Sequence, residues 1–305
     1  MTFARMLFLF LLGNGILHKV KEYIVTSLLN KVEELIMEDL ILLLKYMIIG
    51  LVQGFTEPIP VSSSGHVMIA SELLGMGEQG FTFAILTNTA SLFAILFIYR
   101  EDIIRLVTNF FLYIKTKKRQ YKADFLFCIY IVIGSIPAGV GGVLLSDMIA
   151  DNVSMTTIAI MLFVTGIALW LIRNMKGKKT DSTMTMKDAI IVGLGQAVAL
   201  TPGISRSGAT VIAGVARGLS RETAMRFSFM LYIPVSLGSI VLGVTDFLDE
   251  PNKMDLALPY SVAFIATMFM TYFAFKMFMG IMKSGKLHYF TYYCFIVGIL
   301  LLIFF

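Results

Sequence analysis

The sequence predicts an all-α polytopic membrane protein that contains an inverted-topology repeat, with two re-entrant helical hairpins and six transmembrane helices. Three observations support this fold class. Of the 305 residues, 57% are hydrophobic and 15% are charged, with a mean hydropathy of +0.83, whereas a soluble domain has about 25% charged residues. One apolar stretch recurs later in the chain, and the loops between apolar segments alternate in charge.

The internal repeat relates residues 50–70 to residues 193–213, which lie 143 residues later and align without a gap. Eight of the 21 aligned positions are identical. Both copies are apolar, but Pro, Gly and Ser interrupt each copy near its middle. Non-helical backbone at membrane depth is tolerated where protein buries it or where it lines a cavity. We therefore predict one re-entrant hairpin at 39–75 and a second at 189–219.

The remaining elements follow from the apolar segments. Residues 1–36 are predicted to be an N-terminal extension outside the functional fold, because their apolar run, 6–17, is too short to cross a bilayer. Met37 is an alternative first residue. Six later segments are long enough to cross as helices, and they are 81–99, 125–145, 155–172, 227–245, 256–275 and 288–305. The first repeat is then 37–175 and the second repeat 176–305.

Loop charges predict the orientation of these segments. Residues 100–122 contain seven Lys or Arg, residues 173–187 contain five and residues 276–286 contain three, which places these loops in the cytoplasm. The loops between them, 146–154 and 246–255, are acidic. The first hairpin then starts and ends outside and the second starts and ends inside. Each hairpin is followed by three spans, so the two halves are inverted, and such repeats place the working site near the membrane midplane.

The net positive charge and the two cysteines both have simple explanations in this fold. A net charge of +5 in a soluble protein would suggest nucleic acid, but here the basic residues lie in short loops and act as topology signals. We therefore expect no nucleic-acid partner. Cys128 and Cys294 both lie in apolar runs, which is typical of small core residues and not of a disulfide framework or a metal site.

Ionisable residues within the broken segments are functional candidates, because charges at membrane depth are costly. Glu57 lies at the turn of the first hairpin. It could be a metal ligand or a general base, and the structural alternative is a salt bridge to Arg206. His66 could be a satisfied core residue, a general acid or base, or a phosphorylated nucleophile.

Each hairpin also contains a Ser/Gly turn that leads into a helix. These turns are Ser62-Ser63-Ser64-Gly65 and Ser205-Arg206-Ser207-Gly208. Their hydroxyls could simply satisfy backbone N–H groups. They could also form an anion cradle, and Arg206 would add a guanidinium that matches phosphate geometry. Two cradles, an arginine, a carboxylate and a histidine fit phosphoryl transfer.

The same residues resemble a known family. GFTEPIPVSSSGH, LTPGISRSGAT and the stretch that begins at Gly218 are similar to motifs of the undecaprenyl-diphosphate phosphatases (the BacA/UppP family). The resemblance covers about residues 37–305. It implies removal of the terminal phosphate from undecaprenyl diphosphate, which recycles the cell-wall lipid carrier and confers bacitracin tolerance. It also implies a multi-pass protein of the bacterial plasma membrane, a divalent cation (Mg²⁺ or Ca²⁺) and a site open to the extracytoplasmic side.

The resemblance also implies roles for individual residues. Glu57 would bind the metal or act as the base, Ser63 would be the nucleophile and His66 its acid–base partner, although His66 as the nucleophile stays open. Arg206 would complete the catalytic set. The predicted substrate-binding residues are Ser62, Ser64, Gly65, Ser205, Ser207, Gly208, Thr210, Gln53 and Gln196. The predicted partners are the polyprenyl diphosphate and membrane lipids, and a homodimer is left open.

Gln53 departs from the family pattern, which usually has Glu at this position. An amide cannot act as a base and is a weaker cation ligand than a carboxylate. The departure gives some weight to a different function class, a lipid-phosphate or anion transporter or flippase, because inverted repeats with broken helices are transporter architecture. Transport alone gives no reason for the Ser-Ser-Ser-Gly-His sequence beside Glu57, so the phosphatase is the leading hypothesis.

Overall fold

The structure, a computed structural model, describes residue 6 and residues 16–77, 80–144, 154–249 and 253–305. The described part is helical, with one isolated β-bridge between Lys179 and Leu219 and no strand. Its helices are α1 (Ile16–Thr56), α2 (Ser63–Leu73), α3 (Phe81–Ile98), α4 (Arg100–Thr116), α5 (Lys122–Leu144), α6 (Met155–Ile172), α7 (Met186–Val198), α8 (Arg206–Ala216), α9 (Arg221–Asp249), α10 (Lys253–Ser284) and α11 (His288–Phe304).

The chain divides into two compact units, Met1–Lys45 and Tyr46–Phe305. The first unit is helical from Ile16 onward, and apolar side chains such as Tyr23 and Leu28 are exposed on it. The second unit contains the hydrophobic core. The extension predicted for 1–36 falls within the first unit. Most of its apolar run, residues 7–15, lies outside the described residues, and its role stays a prediction.

All six apolar segments predicted to be spans form helices in the structure. Four helices, α5, α6, α9 and α10, are long and apolar enough to cross a membrane on their own. Helix α3 meets the same criterion only together with α4, across a bend of 73°. Helix α11 is apolar but has 17 residues. The described residues therefore form an all-α polytopic membrane protein with four or five candidate spans.

The basic segment 100–122 is mostly helix rather than loop. Helix α4 occupies most of it, and the chain leaves the helix at Lys117, whose φ of 54° is left-handed. Among its charged residues, α4 has apolar residues that recur every three or four positions, as on one face of a helix. The exposed apolar side chains on that spacing are Ile104, Val107, Phe111 and Ile114. This pattern of charged and apolar residues is typical of an amphipathic helix.

Both copies of the internal repeat form a helix, a break and a second helix. The first break separates α1 from α2 and the second separates α7 from α8. The second helix of each copy begins in the same way. Ser62 caps α2 by accepting a hydrogen bond from the Gly65 N–H, and Ser205 caps α8 by accepting one from the Gly208 N–H. These caps explain why the serines recur at the same position in both copies.

The helices of the two halves pack against each other in matched pairs. The helices predicted to be the first spans, α3 and α9, pack together, and so do those predicted to be the third spans, α6 and α11. The first helix of each broken segment packs on the second span of the other half. A Cβ at Gly50 would lie 2.5 Å from the carbonyl oxygen of Ala263 in α10, and a Cβ at Gly193 would lie 2.3 Å from that of Gly134 in α5. Glycine is therefore required at both contacts.

The inverted orientation of the two halves and the re-entrant course of the hairpins stay predictions. They depend on which side of the membrane each loop occupies. Of the acidic loops that supported the orientation, 146–154 lies almost entirely outside the described residues, whereas 246–249 and 253–255 are helical and form the end of α9 and the start of α10. The repeat boundaries at 37, 175 and 176 are likewise predictions.

Candidate active site

Glu57 is the centre of a polar cluster at the first helix break. Its carboxylate accepts three hydrogen bonds and is almost fully buried. The Ser63 hydroxyl donates to Oε2 at 2.5 Å, and the Gln53 amide donates to the same oxygen at 2.8 Å. Arg206 donates from Nη2 to Oε1 at 2.7 Å. One carboxylate therefore joins a serine hydroxyl of the first repeat copy to the arginine of the second.

The guanidinium of Arg206 is held from three sides. Besides Glu57, Nη2 donates to Oδ1 of Asn88 at 3.1 Å. The guanidinium also lies over the ring of Tyr232, with Cζ 4.2 Å from the ring centroid. The Tyr232 hydroxyl lies 2.8 Å from both Oδ1 and the main-chain oxygen of Asn88, to which it donates. These contacts fix the direction of the arginine side chain.

The two breaks contact each other through a serine hydroxyl. Ser207 Oγ lies 3.2 Å from the carbonyl oxygens of Glu57 and Ile59, to which it donates. In this way the start of α8 binds the backbone that follows α1. The first N–H groups of a helix have no helical partner, so the starts of α2 and α8 bring unpaired backbone donors to one region. Such helix starts bind anions.

A cavity of about 440 Å³ lies next to this cluster. Its polar wall includes Gln53, Glu57, Ser63, Arg206 and Gln196. Its apolar wall comes from both halves of the chain. The predicted site residues on the cavity are Gln53, Glu57, Ser63, Ser64, Gln196, Ser205, Arg206 and Ser207, and its apolar lining includes Val67, Met68, Phe83, Leu200, Ile204 and Val235. The cavity thus offers polar groups and an apolar surface to one ligand.

The hydrogen bonds of His66 are made with groups other than the Ser63 hydroxyl. Its Nδ1 lies 2.8 Å from the carbonyl oxygen of Ser62, and its Nε2 lies 2.7 Å from the hydroxyl of Tyr293 in α11. The rings of His66 and Tyr293 are also stacked, with centroids 5.5 Å apart. The group hydrogen-bonded to Ser63 is Glu57. The roles of His66 as acid–base partner or nucleophile stay predictions.

Four other predicted binding residues have contacts within or between helices. Thr210 donates to the carbonyl oxygen of Arg206 at 2.9 Å and lies 2.5 Å from the hydroxyl of Ser228 in α9. It therefore supports the first turn of α8. Ser62 caps α2, and Gly65 and Gly208 lie in the first turns of α2 and α8, where a Cβ would crowd neighbouring atoms.

Asn88, Tyr232 and Tyr293 were not among the predicted site residues. Asn88 carried a usable signal, because it is an amide in the middle of an apolar span, and polar residues at membrane depth are functional candidates. Tyr232 and Tyr293 lie in aromatic-rich apolar segments. Nothing in their sequence neighbourhood separates them from tyrosines that only pack.

The residues around Glu57 could hold a cation only together with oxygens from a ligand. Among the residues that the structure describes, no group of three or more His, Cys, Asp or Glu side chains could hold a metal. The site offers one carboxylate, the amide oxygens of Gln53 and Asn88, and serine hydroxyls. Mg²⁺ is commonly bound through one or two carboxylates plus substrate phosphates. This donor set therefore fits a divalent cation that arrives with a phosphate ligand.

Comparisons with known proteins agree with the resemblance that the motifs carry. A family model described as "Bacitracin resistance protein BacA" matches residues 46–300. The chain is 55% identical over 269 residues to "Undecaprenyl-diphosphatase 1" of Bacillus cereus, covering 88% of this chain and 100% of the relative. It is 52% identical over 270 residues to "Undecaprenyl-diphosphatase 1" of Bacillus licheniformis, covering 87% of this chain and 99% of the relative. It is 49% identical over 272 residues to "Undecaprenyl-diphosphatase" of Oceanobacillus iheyensis, covering 88% and 99%. The chain therefore belongs to the bacitracin resistance protein BacA family.

Proposed function

We propose that this protein is a membrane phosphatase that hydrolyses undecaprenyl diphosphate to undecaprenyl phosphate and inorganic phosphate. The observation that carries the proposal is the short hydrogen bond from Ser63 to Glu57, with Arg206 bound to the other carboxylate oxygen. The wall of one cavity therefore carries a hydroxyl (Ser63), a base (Glu57) and a cation that can bind phosphate (Arg206). The names and identities of the curated relatives support the same activity.

Ser63 is the nucleophile in this proposal and Glu57 is its general base. The Ser63 proton already points at Oε2 of Glu57, so the carboxylate takes it as Oγ attacks the terminal phosphorus. The bond from that phosphorus to the bridging oxygen breaks, and undecaprenyl phosphate leaves with the bonding electrons. Gln53 donates to the same carboxylate oxygen and keeps it turned toward Ser63.

Arg206 and the two helix starts bind the diphosphate. The guanidinium pairs with phosphate oxygens, and the unpaired N–H groups at the starts of α2 and α8 add further donors. Because phosphoryl transfer depends mainly on positioning and charge stabilisation, these groups account for much of the expected rate enhancement. A divalent cation, Mg²⁺ or Ca²⁺, held by Glu57 and the substrate would neutralise additional charge.

The apolar wall of the cavity suits a prenyl chain. Val67, Phe83 and Val235 line it beside the polar cluster, so the first isoprene units can pack there while the diphosphate reaches Arg206. We place the protein in the bacterial plasma membrane, with the site open to the extracytoplasmic side, as the loop charges predict. Hydrolysis there would recycle the lipid carrier and confer bacitracin tolerance.

The test is phosphate release from undecaprenyl diphosphate by purified protein in detergent, with Mg²⁺ or Ca²⁺ and with a chelator. We expect release by the wild type, loss of release on chelation, and losses of at least about 1,000-fold in Glu57→Ala, Ser63→Ala and Arg206→Ala. Ser182→Ala, at an exposed serine of the 173–187 segment, is the matched control and should keep full activity.

Other outcomes of this assay would change the proposal. Full activity of Ser63→Ala with complete loss in His66→Ala would move the nucleophile to His66. No release by the wild type with any divalent cation would contradict the phosphatase. If labelled undecaprenyl phosphate then crossed the bilayer of reconstituted vesicles, the transporter hypothesis would take its place.

A further inference from the structure

Helix α4 has two apolar faces. One face packs inside the protein, where Leu106 is 3% exposed and Phe110 stacks on Phe125 of α5 with ring centroids 5.1 Å apart. On the other face every side chain is at least 47% exposed, and these residues are Ile104, Val107, Phe111 and Ile114. Large apolar side chains that are exposed together on one side of a helix indicate an interaction surface.

The bend between α3 and α4 gives the direction of α4 relative to the membrane. The two helices are bent by 73°, and a transmembrane helix is tilted by about 20° on average from the bilayer normal. With α3 as a span, α4 therefore runs close to the plane of the membrane. Five of its 17 residues are charged, and charges at membrane depth are costly. Helix α4 thus belongs at the membrane surface and does not continue the span.

Exposed basic residues cluster where α4 ends. They are Lys115, Lys117, Lys118, Arg119 and Lys122. Within the ranges that the structure describes, none of the five forms an ion pair. The nearest acid in the chain, Asp124, is already paired with Arg105 at 3.7 Å and accepts a hydrogen bond from Asn109 at 2.6 Å. The cluster therefore presents its positive charge to the surroundings.

An apolar face next to a basic cluster fits the surface of a membrane that contains anionic lipids. The apolar side chains would enter the boundary between headgroups and acyl chains. Lys115 follows Phe111 by four residues, so the two lie on the same side of α4, and the lysine can extend its ammonium group to the headgroups. Clusters of about four to eight basic residues on such helices bind anionic headgroups. We propose that α4 is an interfacial helix whose basic end binds the headgroups of anionic phospholipids.

The test is a fluorescence measurement that is independent of phosphate release, because none of the five basic residues lines the cavity around Glu57. The chain has one tryptophan, Trp170, so Phe111→Trp in a Trp170→Phe background places a single indole on the exposed face of α4. This full-length sensor protein is reconstituted into vesicles of equal parts phosphatidylcholine and phosphatidylglycerol, with bromine on the acyl chains of one lipid or the other. We expect both lipids to quench the indole. Phosphatidylglycerol should be preferred at least about fivefold, because each basic residue near an anionic surface contributes roughly that factor.

Charge variants of the sensor protein separate a site at the end of α4 from general attraction. The test variant replaces three bases of the cluster, Lys115→Gln, Lys118→Gln and Arg119→Gln. We expect its preference for phosphatidylglycerol to fall to near equality with phosphatidylcholine. The matched control removes three other exposed bases and should keep the full preference; its changes are Lys176→Gln, Lys178→Gln and Lys187→Gln. In the sensor protein with all its bases, about 0.5 M NaCl should also abolish the preference by screening, which tests the charge without a substitution that affects folding.

Three results would overturn the proposal. An unquenched indole with the emission of a water-exposed tryptophan would place α4 away from the bilayer and favour a protein partner for its apolar face. Equal quenching by the two lipids in the sensor protein would mean that the apolar face alone anchors α4, without an anionic-lipid site. An equal loss of preference in the matched control would mean diffuse attraction to the whole positive surface instead of a site at the end of α4.

Discussion

Tyr232 provides a quantitative test of how Arg206 is positioned. Tyr232→Phe removes the hydroxyl that lies 2.8 Å from Oδ1 of Asn88 but keeps the ring 4.2 Å below the guanidinium. One net hydrogen bond contributes about 1 kcal/mol. Asn88 in turn binds Arg206, so the loss of this hydrogen bond should weaken the positioning of Arg206 by the same free energy. The value of kcat/Km should then fall roughly 5-fold, since about 1.4 kcal/mol corresponds to a tenfold change.

Tyr232→Leu removes the ring as well. A desolvated cation–π contact contributes about 2 kcal/mol. With the lost hydrogen bond this gives about 3 kcal/mol and a fall in kcat/Km on the order of 100-fold. The two variants should therefore differ by more than a factor of ten.

The assay is steady-state phosphate release from undecaprenyl diphosphate, with the Tm in detergent measured for each variant. Tyr272 gives the matched control, because Lys276 lies 4.3 Å from its ring centroid, outside the cavity. Tyr272→Phe and Tyr272→Leu should leave kcat/Km unchanged. Equal activity of Tyr232→Leu and Tyr232→Phe would refute the idea that the ring holds Arg206. Wild-type activity in both would show that Glu57 and Asn88 are sufficient to position Arg206 without Tyr232.

Three further predictions concern packing and the buried polar groups. Gly193→Ala would place a Cβ 2.3 Å from the carbonyl oxygen of Gly134, so we expect a loss of about 2 kcal/mol, and an unchanged Tm would contradict the contact. Asp188→Asn removes a fully buried charge that Lys179 and Arg217 pair at 2.9 and 3.0 Å. Because both partners are about one-third exposed, we expect a loss of about 2 kcal/mol in chemical unfolding; stability equal to the wild type would refute the role of this cluster. Tyr293→Phe removes the hydroxyl partner of His66 Nε2. It should lower stability by about 1 kcal/mol and leave phosphate release nearly intact, whereas a loss as large as that of Ser63→Ala would support a catalytic role for His66.

The sequence predicted the helical membrane fold because apolar length and composition determine which segments can cross a bilayer. It also predicted that Glu57, the serines, His66 and Arg206 would converge, because the repeat relates their two segments. In the structure Glu57, Ser63 and Arg206 are in direct contact. The repeat predicted the positions of the breaks as well, because Pro, Gly and Ser interrupt both copies at corresponding points.

Other features depend on packing that no local pattern encodes. The partner of Ser63 is Glu57, six residues earlier, whereas the His66 ring contacts a tyrosine 227 residues away. Tyr232, in α9, likewise contacts Arg206, which lies in a different helix. The helical form of α4 was missed because its many charges favoured a loop. Side-chain pairs between distant helices follow from the three-dimensional packing, and the sequence gives no spacing from which to predict them.

The matched packing of the two halves also has a consequence for biosynthesis. Gly50 packs on Ala263, and Glu57 pairs with Arg206, so neither contact can form while only the first half of the chain has left the ribosome. Until then the buried carboxylate lacks its counter-charge and the first broken segment lacks the helix on which it packs. We therefore expect the candidate active site to assemble only after the second half of the chain has been made. A chain truncated before α10 should be a substrate for membrane quality control.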